Sequence, residues 1–384
     1  MSYTTRVDTR KFVAPVEIIG FGPGFKPDLR QVSDLPTRDV IRLRQYQSEF
    51  TTLSFGRNPT YSLLLTSADS SKNPFFHGSC AYFPAQDELF VTSDLLQPAD
   101  SSKLPTILIS RITLERQQSP ASPDVHSLKW MKLRPPHSMT MPAGVIPYEQ
   151  GLLYCSQGSL APDTGGLWHM PLGKPPVPVL TQFYNKPFNS IQNVTRDKQG
   201  GLWFTDSDIG FELDIRPKPQ LPNQVYRFDP KAGSLRVVAD GFGRPTGIAL
   251  SPDEDTLYIT DMGAANPGRK TDPTRAGAIY AFDVVTRQGA PFLTNKRVFA
   301  MALVGTPKGL ACDHAGNVYA ACADGVEIWS PAGTVIGLIE MLGGCSNLCF
   351  GRQGELFICA EQRLWMIKLE SPIDTTSSSS PNED

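Results

Sequence analysis

The chain has 384 residues, 36 basic and 38 acidic side chains, a net charge of −2, and 19% charged against 40% hydrophobic residues. That is too apolar for a disordered chain, and no run reaches the roughly 18 uncharged apolar residues of a membrane helix. The charge balance carries no electrostatic footprint for nucleic acid or an anionic membrane, so small molecules are the expected partners.

Glycine (32) and proline (34) together make about 17% of the chain, against a background of roughly 12%. Without low complexity, that excess predicts many short strands joined by tight turns. Met1 to Gly20 lacks a basic start, a clean apolar core and a small-residue cleavage site, so no signal peptide is expected. Residues 1–45 are read as an N-terminal extension, and Arg38 to Phe50 is a candidate helix. From there a unit of two strands around a polar turn recurs six times, at 77–94, 142–156, 189–206, 245–261, 307–322 and 345–360. The fourth, PTGIALSPDEDTLYITD, is the cleanest copy. Aligning the second strands sets Phe90, Tyr154, Trp203, Tyr258, Tyr319 and Phe357 in register, 38 to 64 residues apart.

Further strands are expected at 224–228 with 235–239 and at 278–283 with 297–300. That spacing suits blades of four strands. After the sixth unit only Leu364 to Leu369 remains, so the last blade lacks a strand. An N-terminal strand within 49–54 or 62–66 would complete it and close the ring, removing the open sheet edges. The expectation is a single all-β domain over 46–370, a six-bladed β-propeller, followed by a disordered polar tail at 371–384. The seven cysteines include no CxxC; Cys155, Cys312, Cys322 and Cys359 fall in apolar strand-like runs and are expected as buried free thiols of a cytoplasmic protein. The Asn193-Val194-Thr195 sequon is read as accidental.

In a propeller the innermost strands line a central channel, and their starts converge at one mouth. Those starts carry His77 to Ser79, Met141 to Gly144, Gln192, Asn193, Thr246, Lys308 and Asn347. Candidate catalytic residues are therefore Lys308, Gln192, Thr246 and His77. Ser79, Asn193 and Asn347 are candidate substrate contacts, joined by Met141, Tyr184, Phe242, Phe299, Met301 and Met341 from loops that make the mouth aromatic and apolar. Two readings of Lys308 stand side by side: an ammonium that snorkels to solvent, or one that polarises a substrate oxygen. His77 is either structural or a proton shuttle. The five histidines have no metal-ligand spacing, and no GxSxG nucleophile motif occurs.

The stretches HMPLG at His169, FNSIQNV, GGLWFTD, GRPTGIALSPDEDTLYITD and GNVYAACADGVEIWSPAG, taken in one order from Phe75 to Leu369, resemble the gluconolactonase, senescence-marker-protein and fungal lactonohydrolase superfamily of six-bladed propellers. The resemblance implies one divalent cation at the channel mouth, held by a Glu, two Asn and an Asp. The matching positions here are Gly78, Gln192, Thr246 and Lys308. Both carboxylates are lost and a cation stands in one vacancy. At 4 Å, two unit charges repel by about 4 kcal/mol at an effective dielectric of 20, so no metal and no other cofactor is expected.

Within the superfamily the chain resembles the fungal branch proposed to act as hetero-Diels–Alderases. Members of that branch join a tropolone-type quinone methide to a humulene-type sesquiterpene, giving a dihydropyran. The resemblance implies Lys308 with Gln192 or Thr246 on the quinone-methide oxygens, His77 assisting water loss, and the apolar mouth folding the terpene. A metal-dependent lactonohydrolase and a non-catalytic small-molecule-binding propeller are the alternatives.

Overall fold

The computed structural model describes residues 4–9, 13–15, 17–20, 40–47, 49–50, 59–98, 104–116, 125–265, 272, 274–275, 277–352 and 354–368. Six antiparallel blades succeed one another along the chain. Blade 1 runs Ser79–Phe83, Glu88–Thr92, Ile109–Arg116 and Val125–Leu133 from the channel outwards. Blade 2 is Pro142–Tyr148, Gly151–Ser156, Gly166–Pro171 and Val177–Leu180; blade 3 is Ile191–Arg196, Leu202–Asp206, Gln224–Asp229 and Ser234–Ala239. Blade 4 comprises Pro245–Leu250, Thr256–Asp261, Ala278–Arg287 and Ala290–Met301, and blade 5 Leu310–Cys312, Val318–Cys322, Gly325–Trp329 and Val335–Met341.

Blade 6 closes the ring. Its inner strands Asn347–Phe350, Glu355–Ala360 and Arg363–Lys368 come from the C-terminal part, and Thr60–Thr66 pairs onto Arg363–Lys368 as the fourth strand. The expected closing strand at 62–66 is therefore present, two residues longer at its start. Most of the other candidate, 49–54, lies outside the described residues, as does the tail from 369 onward. The stretch before residue 46 adds outer strands: Thr4–Asp8 on blade 1, Val13–Pro15 on blade 6, and Ile41–Gln45 with Glu17–Gly20 on blade 5.

The helix expected over Arg38 to Phe50 is corrected: Ile41–Gln45 is a strand. Its Ile41 and Leu43 alternate with more exposed Arg42 and Arg44, the period of two that buries one face of a strand. The open edge of Val335–Met341 supplies the hydrogen-bonding partner. Among the described residues no helix is long and apolar enough to cross a membrane.

Each pair of neighbouring blades encloses its own apolar core, and the six cores complete the circle. The six register aromatics anchor five of them: Phe90 and Tyr154 between blades 1 and 2, Trp203 between 3 and 4, Tyr258 between 4 and 5, Tyr319 between 5 and 6, and Phe357 between 6 and 1. Second strands are covered on both faces, which is why Glu88–Thr92 and Leu202–Asp206 are buried at every position. Burying one such large side chain contributes about 1.5–3 kcal/mol. Cys155, Cys312, Cys322 and Cys359 all lie in strands, and all seven cysteines are free.

The seam between blades 6 and 1 also holds a buried ion cluster. Arg116 of blade 1 donates from Nη2 to Asp87 Oδ1 and to Glu355 Oε2, each at 2.9 Å, with side chains 9%, 16% and 5% exposed. Removing the cation leaves two carboxylates facing each other away from water. Arg116→Ala is expected to lower unfolding free energy by about 3–5 kcal/mol, read as a fall in denaturant midpoint at unchanged m-value. A midpoint within about 0.5 kcal/mol of the parent protein would show that the seam does not depend on this cluster.

Candidate functional site at the channel mouth

In each blade the inner strand starts, and the antiparallel second strand ends, at the same face of the ring. Ser79 pairs with Thr92, Ile191 with Asp206 and Pro245 with Asp261. Threonines at or near those second-strand ends stitch one blade to the next. Thr92 Oγ1 donates to Ala143 O at 2.8 Å, Thr205 Oγ1 to Thr246 O at 2.7 Å, and Thr260 Oγ1 to Lys308 O at 2.7 Å. The last inner strand repeats the stitch with a different group: Asn347 Nδ2 donates to Gly78 O at 3.0 Å. The backbones of Thr246, Lys308 and Gly78 are thus fixed by neighbouring blades before any ligand arrives.

In blades 3 and 4 the final residue of the second strand is a buried aspartate that builds the loop above it. Asp206 accepts the Asn189 and Ser190 N–H groups, and Asp261 those of Gly243, Arg244 and Gly263. Burial outweighs those hydrogen bonds at Asp206 and pushes its carboxyl up to about 7.

These strand ends surround a cavity of about 470 Å³. Six of the sequence candidates meet there: His77, Gln192, Asn193, Thr246, Lys308 and Asn347. Asp94, Gln157 and Arg244 join them, and Ile107, Ile209, Leu213 and Met262 supply an apolar wall.

The other seven candidates lie elsewhere. Ser79 is buried, its Oγ taken by the Val145 N–H at 3.1 Å. Met141 is packed between Ile107 and Ile215 behind the wall. Phe242 belongs to the core between blades 3 and 4, and Met341 to that between 5 and 6. Phe299 packs edge-on to Tyr258 and lines an outer groove with His314 and Pro331. Met301 (66% exposed) and Tyr184 (77% exposed) face solvent. Phe299, Met301 and Met341 sit on fourth strands, away from the channel axis.

The charged groups at the mouth are ordered. His77 Nδ1 lies 2.7 Å from Glu361 Oε2, while its Nε2 is 3.9 Å from Asp94 Oδ1. Burial raises the Glu361 carboxyl, but the hydrogen bond and charge of His77 and the charge of Lys308 outweigh that and hold it below its ordinary value. Arg244 reaches Glu212 and Ala265 O with its terminal nitrogens, and its buried Nε has no partner among the described residues. The Lys308 ammonium also has no hydrogen-bonding partner among the described residues. Gln192 spends its Nε2 hydrogens on Gln157 Oε1 and Ser190, so it offers the cavity an acceptor.

A hard divalent ion on the channel axis does not fit this donor set. A Cβ at Gly78 would already meet Thr92 Oγ1 at 2.6 Å, leaving no path for a longer acidic side chain. The Oδ1 atoms of Asn193 and Asn347 accept the Val194 and Leu348 N–H groups at 2.9 and 2.8 Å. Lys308 and Arg244 add positive charge where oxygen ligands are required. His77, Asp94 and Glu361 bring ligand atoms within 4.8 Å of one another, but Glu361 is already committed to the imidazole.

Sequence reasoning missed Asp94, Gln157 and Glu361 because it followed only the starts of inner strands; Arg244, directly before Pro245, adjoined such a start and was passed over. The signal for the first three was present at the other end of the unit. In five of the six blades the second strand closes on a polar group at the same face: Ser93-Asp94, Ser156-Gln157, Thr205-Asp206, Thr260-Asp261 and Ala360-Glu361.

Comparison with known proteins agrees with this architecture. A gluconolactonase of Zymomonas mobilis is 34% identical over 206 residues, 50% of this chain and 54% of that one. The lactonohydrolase oryL of Aspergillus oryzae is 27% identical over 341 residues, 83% of this chain and 71% of that one. The structure of a gluconolactonase from Xanthomonas campestris superposes with a TM-score of 0.64 at 22% identity, covering 85% of this chain and 94% of that one, a likeness of fold. The sequence model of the SMP-30/Gluconolactonase/LRE-like region matches residues 133–362, and the chain belongs to that family.

Proposed function

We propose that this protein hydrolyses a lactone bearing apolar substituents, and does so without a divalent ion on the channel axis. The observation that carries the reading is the pairing, in one cavity, of an imidazole held by a carboxylate with an ammonium that has no hydrogen-bonding partner among the described residues. In the proposed reaction His77, with Nδ1 bound to Glu361, takes a proton from water through Nε2 as the water oxygen attacks the lactone carbonyl. Lys308 stabilises the oxyanion that forms. Collapse breaks the ring C–O bond, and His77 returns its proton to the departing alkoxide, so lactone and water give one hydroxy acid. Ile107, Ile209, Leu213 and Met262 would accept the apolar part of the substrate. Relatives named gluconolactonase and lactonohydrolase support the reaction class.

The test is a lactone panel assayed with excess chelator. Retained hydrolysis, faster on alkyl-substituted lactones than on aldonolactones, is the expected result. Activity that disappears with chelator and returns with a divalent cation would sink the metal-free mechanism.

A second reading, hetero-Diels–Alder cycloaddition of a tropolone-type quinone methide with a humulene-type alkene, is favoured by the lone ammonium beside an apolar wall. Such a site can hold two reactants in register and polarise one of them. Stereoselective dihydropyran formation above the buffer rate, with no lactone turnover, would replace the first reading with this one.

A further inference from the structure

Three cysteines on neighbouring strands meet at the seam where the ring closes, outside the cavity and unused by any step above. Cys80 is the second residue of the innermost strand of blade 1, and Cys349 the third residue of the innermost strand of blade 6. Their Sγ atoms are 3.0 Å apart, across 269 positions of sequence. Cys359, on the second strand of blade 6, lies within thiol hydrogen-bonding reach of Cys80. Cys80 and Cys359 are buried, whereas Cys349 is partly exposed.

We propose that Cys80 and Cys349 are a redox-active pair that forms a disulfide joining the first blade to the last. The position gives the bond a consequence. Within blade 6, the junction of Thr60–Thr66 with Arg363–Lys368 is the place where the ring is closed by hydrogen bonds and packing instead of by continuous chain. Cys80 belongs to the part that continues from Thr60–Thr66, and Cys349 to the part that ends in Arg363–Lys368. A bond between them makes residues 80 to 349 a covalent ring and restrains the unfolded chain over that whole length.

The reaction balances with a peroxide as oxidant. One sulfur of the pair, as thiolate, attacks a peroxide oxygen and releases hydroxide, becoming a sulfenic acid. The second thiol then attacks that sulfur; its proton and the departing hydroxide form water, and the S–S bond closes. Two thiols lose two electrons and one hydrogen peroxide becomes two waters. The surroundings single out the attacking sulfur: burial and the neighbouring Cys80 raise the Cys349 and Cys359 thiols, whereas at Cys80 burial is outweighed by the hydrogen bonds from those two thiols, which lower it.

The experiment treats the purified, fully reduced protein with hydrogen peroxide, then counts thiols after denaturation, maps peptides without reduction and measures Tm. The seven thiols are expected to fall by two, one peptide pair is expected to carry Cys80 joined to Cys349, and Tm is expected to rise by about 5 °C or more. Dithiothreitol reverses all three changes. Cys349→Ser abolishes them, while Cys312→Ser, outside the cluster, leaves them intact. Peptide mapping of the unmutated chain keeps the test independent of how either variant folds. Seven surviving thiols overturn the proposal, as does a bridge that uses Cys359, or a Tm gain that persists in Cys349→Ser.

Discussion

Lys308→Ala is expected to lower kcat/KM for lactone hydrolysis by about 100- to 1000-fold, or about 2.7–4 kcal/mol of transition-state stabilisation, with little change in Tm. The size follows from what faces the reacting carbonyl. Gln192 has its amide hydrogens engaged by Gln157 and Ser190, and the Thr246 hydroxyl donates to Arg244 O at 3.2 Å. Besides the buried Arg244 Nε, the Lys308 ammonium is then the charged donor with no hydrogen-bonding partner among the described residues, available to an oxygen whose negative charge grows during attack. Its backbone is held independently, by Thr260 Oγ1 on its carbonyl and by its own N–H on Ala321 O at 2.9 Å. Truncating the side chain therefore removes the charge without loosening the strand. The loss is expected mainly in kcat, because a ground-state carbonyl gains less from the ammonium than an oxyanion does. Lys308→Arg should recover part of the rate, and Lys308→Met none of it. Full activity in Lys308→Ala would remove Lys308 from the reaction and return it to the snorkelling reading.

The same residue shows how far the sequence reaches. Lys308 was found because Pro307-Lys308-Gly309 keeps the Pro and Gly frame of a strand start, and frames of that kind are local. The six units, the register aromatics and the closing strand were legible for the same reason. Each is a short pattern whose period and turn residues dictate the backbone. Glu361 was not legible because its role is to meet His77, 284 positions away, across the seam. It sits at φ 59 in the two-residue turn between Glu355–Ala360 and Arg363–Lys368, where a sequence reading expects only a solvated turn. Phe242 and Met341 failed in the opposite direction. An apolar residue in a loop near the mouth serves a cavity or an interblade core equally well, and sequence spacing does not say which. Ile41–Gln45 was misjudged because the partner that makes it a strand, Val335–Met341, lies nearly 300 residues downstream.

Asp94 and Glu361 differ from Asp206 and Asp261 in what they leave unspent. All four lie at or just beyond the end of a second strand. In blades 3 and 4 the carboxylates are consumed by backbone N–H groups of the loop above, so they shape the mouth and cannot act in it. In blade 1 the Leu95 N–H takes one Asp94 oxygen, and in blade 6 the Glu361 carboxylate turns to an imidazole. The same end of the second strand thus supplies scaffold in two blades and, at the seam, the carboxylates that face His77.

That division gives the second large expectation. His77→Ala should reduce kcat by about 100- to 10,000-fold, the range set by loss of a general base. Glu361→Gln should cost about as much in direction and somewhat less in size, because the imidazole remains but loses the carboxylate that fixes its tautomer and balances its charge. The double variant is expected to be about as slow as His77→Ala alone, since the two groups act as one unit. A split between kcat and KM separates this from a structural role: with the carboxylate gone the imidazole loses the group that orients it, so kcat should fall in Glu361→Gln while KM changes little. Stability carries a separate signature. The Glu361 carboxyl is held below its ordinary value by His77 and Lys308, so its contribution to folding is present above about pH 4.3 and fades as pH falls through the depressed value. A Glu361→Gln variant that shifts only Tm and leaves kcat at that of the parent protein would assign the pair to holding blade 6 against blade 1, and the general base would have to be sought at Asp94, the other carboxylate that faces His77 among the described residues.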